Sequence, residues 1–368
     1  MLYTVIVLTG MVLAGIAAAF VIVLLVVALR PNVSAPGQRL PEKQRPHPEE
    51  EPALSGKGPP LKELVPSDRR RDVTFEVEGT SISAWLYLPR GQSSPVPCIV
   101  MAHGLGGTKK MLEPYVTRFQ DAGMAVLVFD YRYLGESNGE PRQLIWIPYQ
   151  LQDYAAAVAY ARSLKEVDAD RVGLWGTSLS GGHVLVTAAR DGRIACVSAQ
   201  CPLLDGLAAS EQQLHRLGIR YALRMLGHAQ RDLVRSWLGL SPHKIPIVGR
   251  TGSLALMSDD DAWDFFAESA SDDFVNEACA RIAMNIYRYR PVDHLHQVRC
   301  PVLLQTCDHD FALPSKVVDR AASRLGGVAQ IVRYPIGHFD IYRGSHFETA
   351  VNRQIEFFSK HLFPTDSK

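Results

Sequence analysis

The stretch GTSLSGG, residues 176–182, comes directly after a short apolar run, residues 172–175. Hydrolases of several kinds expose a nucleophilic serine in this way, between small residues at a sharp turn from a strand into a helix. The usual pattern is G-x-S-x-G, but its fifth position is Ser180 here. On its own, the stretch predicts either a catalytic Ser178 or a glycine-rich turn in which the serine caps a helix.

The small residues around Ser178 suit the tight turn that a nucleophile needs. Gly176 and Ser180 lie two positions before and after it, and Gly181 and Gly182 allow the next helix to pack closely. The first N–H groups of that helix would favour negative charge beside the hydroxyl. We therefore expect Gly176 to support the turn.

Outward from this stretch, buried-type strands alternate with helical segments. Two alternating apolar segments, near residues 73–77 and 82–88, predict a leading antiparallel pair of strands. Later strands are predicted at residues 98–102, 125–129, 172–175, 194–199, 302–306 and 329–334. Helices are predicted near residues 111–122, 147–164, 180–190, 315–325 and 347–361. The alternation predicts an α/β fold with a mostly parallel sheet and helices on both faces.

Residues 202–299 interrupt the alternation and predict a helical cap insertion over the carboxyl edge of the sheet, where a lid would cover a site. Its aromatic residues either line a cavity or form a small core of the insertion; they are Tyr221, Trp237, Trp263 and Tyr287.

The insertion also contains a candidate basic amphipathic helix. One face would carry Leu214, Leu217, Tyr221 and Met225, and arginines recur at 216, 220 and 224. Such a helix either lies on anionic lipid or is a cap helix with a solvated charged face.

The N-terminal residues 1–30 are predicted to form a transmembrane anchor. Residues 3–29 contain no charged side chain, and about 20 apolar residues are enough to cross a bilayer. The segment is too long for a cleaved signal peptide and lacks a basic start, although cleavage remains the alternative. Basic residues follow it at Arg30, Arg39, Lys43 and Arg45, so the positive-inside rule predicts a single-pass protein with its catalytic domain in the cytoplasm.

Residues 31–66 are rich in proline and charge, which predicts an extended linker, with an ordered arm as the alternative. Residues 67–368 then form the predicted catalytic domain, with the cap at 202–299.

The net charge of +1 gives no support for nucleic-acid binding. None of the six cysteines has a zinc-like spacing, so no metal site is predicted, and free thiols in core strands favour a reducing compartment.

Four segments with reactive or flexible residues follow predicted strands, where ligands bind in open α/β sheets. The turn His103-Gly104-Leu105-Gly106-Gly107 would bring a backbone N–H close to a developing oxyanion. Ser178 is the candidate nucleophile, Asp310 is preferred to Asp308 as the orienting carboxylate, and His338 is the candidate base. The order Ser178, Asp310, His338 is the chain order of a hydrolase triad.

These residues resemble the α/β-hydrolase superfamily over about four fifths of the chain. The segment DYRYLGESNG, residues 130–139, is similar to the family's D-x-R-G-x-G-x-S-x-G, with Tyr133 in place of glycine. GTSLSGGHV and HFDIY resemble the dienelactone-hydrolase-like and Xaa-Pro-peptidase-like branch, which includes fungal polyketide transferases and often has G-T-S-x-S-G-G.

The resemblance implies that backbone N–H groups of Leu105 and Leu179 form the oxyanion hole. His103, Gly104 and Gly106 would support that loop. It also implies that no metal or organic cofactor is needed.

The expected function is therefore a membrane-anchored serine hydrolase that cleaves an ester or thioester of a small acyl substrate through an acyl-enzyme, and the anchor suggests an amphiphilic substrate. An acyltransferase that uses the same acyl-enzyme is the alternative. A peptidase and a non-catalytic binding protein on a hydrolase scaffold are further alternatives.

Overall fold

The structure, a computed structural model, describes residues 70–91, 95–311 and 314–363, together with five isolated helical positions between residues 15 and 29. The predicted anchor, apart from those five positions, and the predicted linker lie outside the described residues. Within the part that is described, we find no helix with the length and apolar character needed to cross a membrane.

An eight-stranded sheet forms the centre of the catalytic domain, in the order β1-β2-β4-β3-β5-β6-β11-β12. The strands are β1 Arg70–Val77, β2 Thr80–Tyr87, β3 Val96–Ala102, β4 Ala125–Phe129, β5 Val167–Thr177, β6 Cys196–Gln200, β11 Val302–Cys307 and β12 Ala329–Tyr334. β1 pairs antiparallel with β2, and β2 with β4, while the other neighbours are parallel. The predicted antiparallel start and parallel sheet are confirmed.

Helices cover both faces of the sheet. They are α1 Glu113–Asp121, α2 Ile147–Ser163, α3 Leu179–Arg190, α7 Ser315–Leu325 and α8 Gly344–Leu362. Alternate residues of β3 show the two layers: Val100 packs in the core with residues of α2, α3 and α7, and Ile99 packs in the core with residues of α1 and α8. Because both faces of this strand are buried, its sequence is a continuous apolar run, which is why it was recognisable.

The cap region between β6 and β11 contains helices α4 Gly206–Trp237, α5 Asp260–Ser269 and α6 Ala283–Ile286. It also contains four strands of two residues, β7 Lys244–Ile245, β8 Val248–Gly249, β9 Met257–Ser258 and β10 Ala278–Cys279. β7 pairs with β10 and β8 with β9, so the purely helical prediction for the insertion is incomplete. Strands this short leave no periodic signal in the sequence.

The structure separates the two alternatives for the cap's aromatic residues. The four candidate aromatic residues do not line the pocket described below. Tyr221 and Trp263 are buried in apolar cores, as the alternative held, but Trp237 is 73% exposed and Tyr287 is also exposed.

The arginines at positions 216, 220 and 224 do not form one continuous row on the helix. Gly218 has a non-helical backbone (φ 81°, ψ 169°), which divides α4 into residues 206–217 and 219–237. Arg216 precedes this break and binds Asp259 and the carbonyl of Ser258, so it does not continue the face of Arg220.

Candidate active site

Ser178 occupies a sharp turn between β5 and α3. Its backbone has φ 55° and ψ −120°, a region that residues with a side chain adopt at a cost of about 1–3 kcal/mol. The turn is fixed from both sides, because Ser178 N donates to Gln200 O (2.9 Å) and Leu203 N donates to Ser178 O (2.8 Å). The Ser178 hydroxyl makes no helix-capping hydrogen bond, so the capping alternative has no support in the geometry.

Close backbone contacts explain the small residues around this turn. A Cβ added to Gly176 would lie 2.4 Å from the carbonyl oxygen of Ser180, and one added to Gly182 would lie 2.5 Å from Leu203 O. Ser180 is fully buried, and its Oγ lies 2.8 Å from the hydroxyl of Tyr131. The fifth position of the motif therefore holds a serine whose hydroxyl has a hydrogen-bond partner. A glycine at this position could not make that hydrogen bond.

Asp310 and His338 are in direct contact at the end of the pocket. His338 Nδ1 lies 2.6 Å from Asp310 Oδ2, and both side chains are almost fully buried. This contact leaves Nε2 as the ring nitrogen available to a hydroxyl. Asp308, the rejected candidate, has a side chain that is 40% exposed and lies 3.6 Å from Arg333, so it has no contact with the histidine.

The glycine turn at residues 103–107 lies against Ser178. A Cβ on Gly104 would lie 3.1 Å from Ser178 Cβ, and one on Gly106, which has φ 69°, would lie 2.4 Å from Ile247 Cδ1. Leu105 and Leu179 both line the pocket beside Ser178. As the first residue of α3, Leu179 has an N–H without a partner inside its helix.

The side chain of His103, the first residue of this turn, is buried. Its Nδ1 donates to Gly104 O at 2.9 Å, and its Nε2 lies 3.8 Å from Asp130 Oδ1. Desolvation lowers the pKa of His103, against the opposing charge of Asp130, so the neutral ring is favoured. The contact with Gly104 O is consistent with the supporting role that the resemblance implies, which stays a prediction.

A buried ion pair behind the turn was missed by sequence reasoning. Lys109 Nζ donates to Asp130 Oδ2 and to Glu136 Oε2, each at 2.7 Å, and Lys109 N donates to Asp130 Oδ1, also at 2.7 Å. The Lys109 and Asp130 side chains are fully buried. They tie the glycine turn to the segment that follows β4. The only signal was an aspartate placed directly after a buried strand.

A network of three glutamines behind Ser178 was also missed. Gln354 Nε2 donates to Gln200 Oε1 (2.8 Å) and Gln305 Oε1 (2.5 Å), and Gln354 Oε1 accepts from Trp175 (3.0 Å). Gln200 O also accepts from Ser178 N. The network therefore connects the ends of three strands to α8 beneath the turn.

Ser178, Asp310 and His338 line one pocket, which has a cavity volume of about 90 Å³. The rest of its wall is mostly apolar and comes from both the catalytic core and the cap: Leu105, Leu179, Cys201, Pro202, Leu203, Gly206, Ala209, Ser210, Gln213, Leu256, Met257, Ile286 and Phe311. Asp310 is the one carboxylate among these described residues, and none of them is a lysine or arginine.

Cys201 is the one thiol among the described residues of the pocket wall. Burial raises its pKa well above that of an ordinary thiol, and it lies near Cys307 and Tyr342. A thiol that stays protonated is a weak nucleophile, so Cys201 does not compete with Ser178. Among the residues that the structure describes, no group of three or more His, Cys, Asp or Glu is placed to hold a metal ion.

With this geometry in place, the comparisons with known proteins identify the family. The model of the X-Pro dipeptidyl-peptidase (S15) family matches residues 78–306. The quorum-quenching protein AidA of Acinetobacter baumannii is 42% identical over 292 residues, which are 78% of this chain and 94% of AidA. The chain therefore belongs to the X-Pro dipeptidyl-peptidase (S15) family of the α/β-hydrolase superfamily, and it is an enzyme of that superfamily.

More distant relatives agree. The polyketide transferase af380 of Aspergillus fumigatus is 26% identical over 314 residues, 80% of this chain and 99% of the relative. The crystal structure of the α/β hydrolase GrgF from a Penicillium species aligns with a TM-score of 0.67 at 23% identity, covering 80% of this chain and 99% of GrgF. The structural match shows the shared fold, and the expected resemblance to the superfamily is confirmed.

Proposed function

We propose that the protein is a serine hydrolase that cleaves an ester or thioester bond through Ser178, His338 and Asp310. The observation that carries this proposal is the 2.6 Å contact between Asp310 and His338, in the same pocket as a serine held at a strained turn. A buried carboxylate on Nδ1 fixes the tautomer in which Nε2 accepts a proton.

In the proposed reaction, Ser178 Oγ attacks the carbonyl carbon while His338 Nε2 accepts the hydroxyl proton. The oxyanion that forms is stabilised by the N–H groups of Leu105 and Leu179, and each such donor is worth about 100–1,000-fold in rate. Collapse expels the alcohol or thiol, which receives the proton from His338. Water then attacks the acyl-enzyme by the same route and releases the acid.

The pocket wall favours a neutral, largely apolar acyl group. None of the described lining residues is a cation that would bind a substrate carboxylate or phosphate. The similarity to a protein named for quorum quenching makes a small signalling molecule with an ester bond a candidate substrate.

Acyl transfer is the second candidate function. It is favoured by the similarity to a polyketide transferase and by the cap residues that form part of the pocket wall, such as Gln213 and Met257. A covered site that excludes water would let an alcohol or amine take the acyl group.

The remaining alternatives have less support. An aminopeptidase needs an acid to hold the substrate's amino group, and the one carboxylate in the described pocket wall, Asp310, already contacts His338. A non-catalytic binding protein would not need the Asp310–His338 contact.

We also propose, from the sequence, that residues 3–29 anchor the enzyme in a membrane and that the catalytic domain faces the cytoplasm. The support is the length of the uncharged segment and the basic residues that follow it. A tag placed at residue 1 tests the orientation: in intact cells it should be cleavable by an added protease, and protection would refute the cytoplasmic placement.

Labelling with a fluorophosphonate tests the nucleophile. We expect the wild type to be labelled, Ser178→Ala to be unlabelled and Ser180→Ala, a matched change two residues away, to keep labelling. Persistent labelling of Ser178→Ala would overturn the assignment. Product analysis with added alcohol or amine acceptors then separates hydrolysis from transfer.

A further inference from the structure

The second segment of α4 exposes an apolar stripe. Ile219, Leu223, Leu226 and Trp237, which we call the cap stripe, are 61%, 60%, 43% and 73% exposed. Ile219 and Trp237 are eighteen residues apart, which is five full turns, and Leu223 and Leu226 follow Ile219 by four and seven residues. All four side chains therefore project from one side of the helix.

The opposite side of this segment is buried. Tyr221 and Met225 pack in the core of the cap with Ile245 and Ala280. The apolar positions that face the core are thus already used, and the cap stripe is a second apolar surface. Aligned exposed apolar side chains on a folded domain mark an interaction surface.

Positive charge lies beside the stripe. Arg220 and Arg224 are exposed, each directly follows a residue of the stripe, and no ion pair of either is found among the described residues. The one acidic residue between positions 219 and 237, Asp232, is buried and binds Arg281 at 2.6 Å. The exposed side of the segment therefore has apolar and cationic character without acidic residues.

We propose that the cap stripe lies in the interface of an anionic lipid bilayer, with residues 219–237 parallel to the membrane plane. An apolar stripe flanked by arginines is the chemistry of helices that bind in this way. The chain's own uncharged residues 3–29 favour a bilayer as the occupant, because a segment of that kind would keep the domain within reach of one.

The contact has a consequence for the pocket. The first segment of α4 contributes Gly206, Ala209, Ser210 and Gln213 to the pocket wall, and Gly218 separates it from the stripe. One kinked helix thus joins the lipid-facing surface to the site. The surface contact is independent of the catalytic assignment, whereas delivery of an amphiphilic acyl substrate along this helix rests on the proposed function.

The test uses Trp237 as the reporter in the full-length chain, reconstituted into vesicles of equimolar phosphatidylcholine and phosphatidylglycerol with brominated acyl chains. Subtraction of the Trp237→Phe spectrum isolates its emission from that of the other four tryptophans. We expect this emission to be blue-shifted and quenched by the brominated lipid, and to be protected from iodide in water.

The double variant Ile219→Glu/Leu223→Glu should lose this quenching, while Val275→Glu, a change at an exposed apolar residue outside the stripe, should keep it. Both sites are on the surface, so retained labelling by a fluorophosphonate and an unchanged melting curve show that the fold is intact. Arg220→Gln and Arg224→Gln should each lower the ratio of lipid-bound to water-exposed cap stripe, as Trp237 reports it, about five-fold in anionic vesicles. Neither change should alter this ratio in pure phosphatidylcholine.

Emission of Trp237 that is open to iodide and insensitive to brominated lipid would overturn the proposal. Protection from both quenchers would also overturn it, and would assign the stripe to a second copy of the chain or to residues 1–29. If Ser178→Ala fails to abolish labelling while the lipid quenching persists, the proposed function falls and the surface contact stands.

Discussion

Replacing the carboxylate of Asp310 should remove most of the catalytic rate while leaving the pocket in place. Asp310→Asn keeps the size of the side chain but presents an amide at the 2.6 Å contact with His338 Nδ1. An amide that donates to Nδ1 selects the tautomer with the proton on Nε2, which cannot accept the proton of Ser178. The amide also lacks the negative charge with which the Asp310 carboxylate stabilises the imidazolium.

The size of the effect follows from this geometry. A change from Asp to Asn at a triad contact of this kind lowers kcat by about 10⁴, which is about 5.4 kcal/mol of transition-state stabilisation. KM should change little, because the Asp310 contact orients the base and does not hold the acyl chain. Asp308→Asn alters an exposed pair with a 3.6 Å separation, so it should change the rate by less than about two-fold.

The assay is steady-state hydrolysis of a short activated acyl ester by the wild type and both variants, with thermal unfolding as the check on folding. Equal losses of kcat in Asp310→Asn and Asp308→Asn would refute the assignment, as would an Asp310→Asn enzyme with the wild-type rate. A large rise in KM with unchanged kcat would place Asp310 in substrate binding instead.

Three further changes test how the site is supported. Gly176→Ala puts a Cβ 2.4 Å from Ser180 O, so backbone must move, and calorimetry should show a loss of about 1–3 kcal/mol together with lower kcat. Lys109→Met leaves the buried Asp130 without its cation, and denaturant titration should show a loss of about 3–5 kcal/mol. His183 is buried, and desolvation lowers its pKa to about 3, so only the unfolded chain binds its proton between pH 6.5 and 3. This group therefore does not lower the free energy of unfolding above pH 6.5. As the pH is lowered, the free energy of unfolding measured by urea titration should fall, by about 2 kcal/mol at pH 5.

Each of these changes has a control or a contrary outcome. Gly227→Ala, in α4 with open space around it, should be neutral or stabilising, and Lys110→Met at a partly exposed ion pair should cost less than about 1 kcal/mol. For His183, a His183→Gln variant should lose less stability between pH 7 and 5 than the wild type. Identical pH profiles would show that this histidine does not control acid stability.

The strands were predictable, and the candidate site residues could be proposed, because both carry local signals. β3 and β4 are short runs of apolar residues that end at a polar one, His103 or Asp130, and a turn motif marks the end of β5. The choice of Asp310 over Asp308 used its place in the loop, and the structure places Asp310, not Asp308, at His338.

The features that were missed depend on contacts between distant parts of the chain. Lys109 pairs with Asp130 across 21 residues, and nothing in the local sequence distinguishes this lysine from the neighbouring Lys110, which is on the surface. Gly218 breaks α4, and a helical wheel drawn through residues 214–225 ignores this break. Tyr221 and Met225 of the predicted apolar face pack in the core of the cap, as the cap-helix alternative held.

The hydroxyl of Ser180 shows how structure refines a motif. From the sequence, the serine at the fifth position is a departure from G-x-S-x-G that the resemblance to one branch accounts for. In the structure it lies 2.8 Å from the Tyr131 hydroxyl, within the segment that resembles the family's D-x-R motif. The two motifs are therefore joined by a buried hydrogen bond behind Ser178.

The most direct test of the central claim is to trap the acyl-enzyme. The full-length protein is mixed with an activated acyl ester, quenched in acid within the first turnover and mapped by peptide mass spectrometry. The account predicts one acyl group per chain, on the peptide that contains Ser178, and none in Ser178→Ala. Turnover with the acyl group on Cys201, or with no acylated peptide at all, would contradict it.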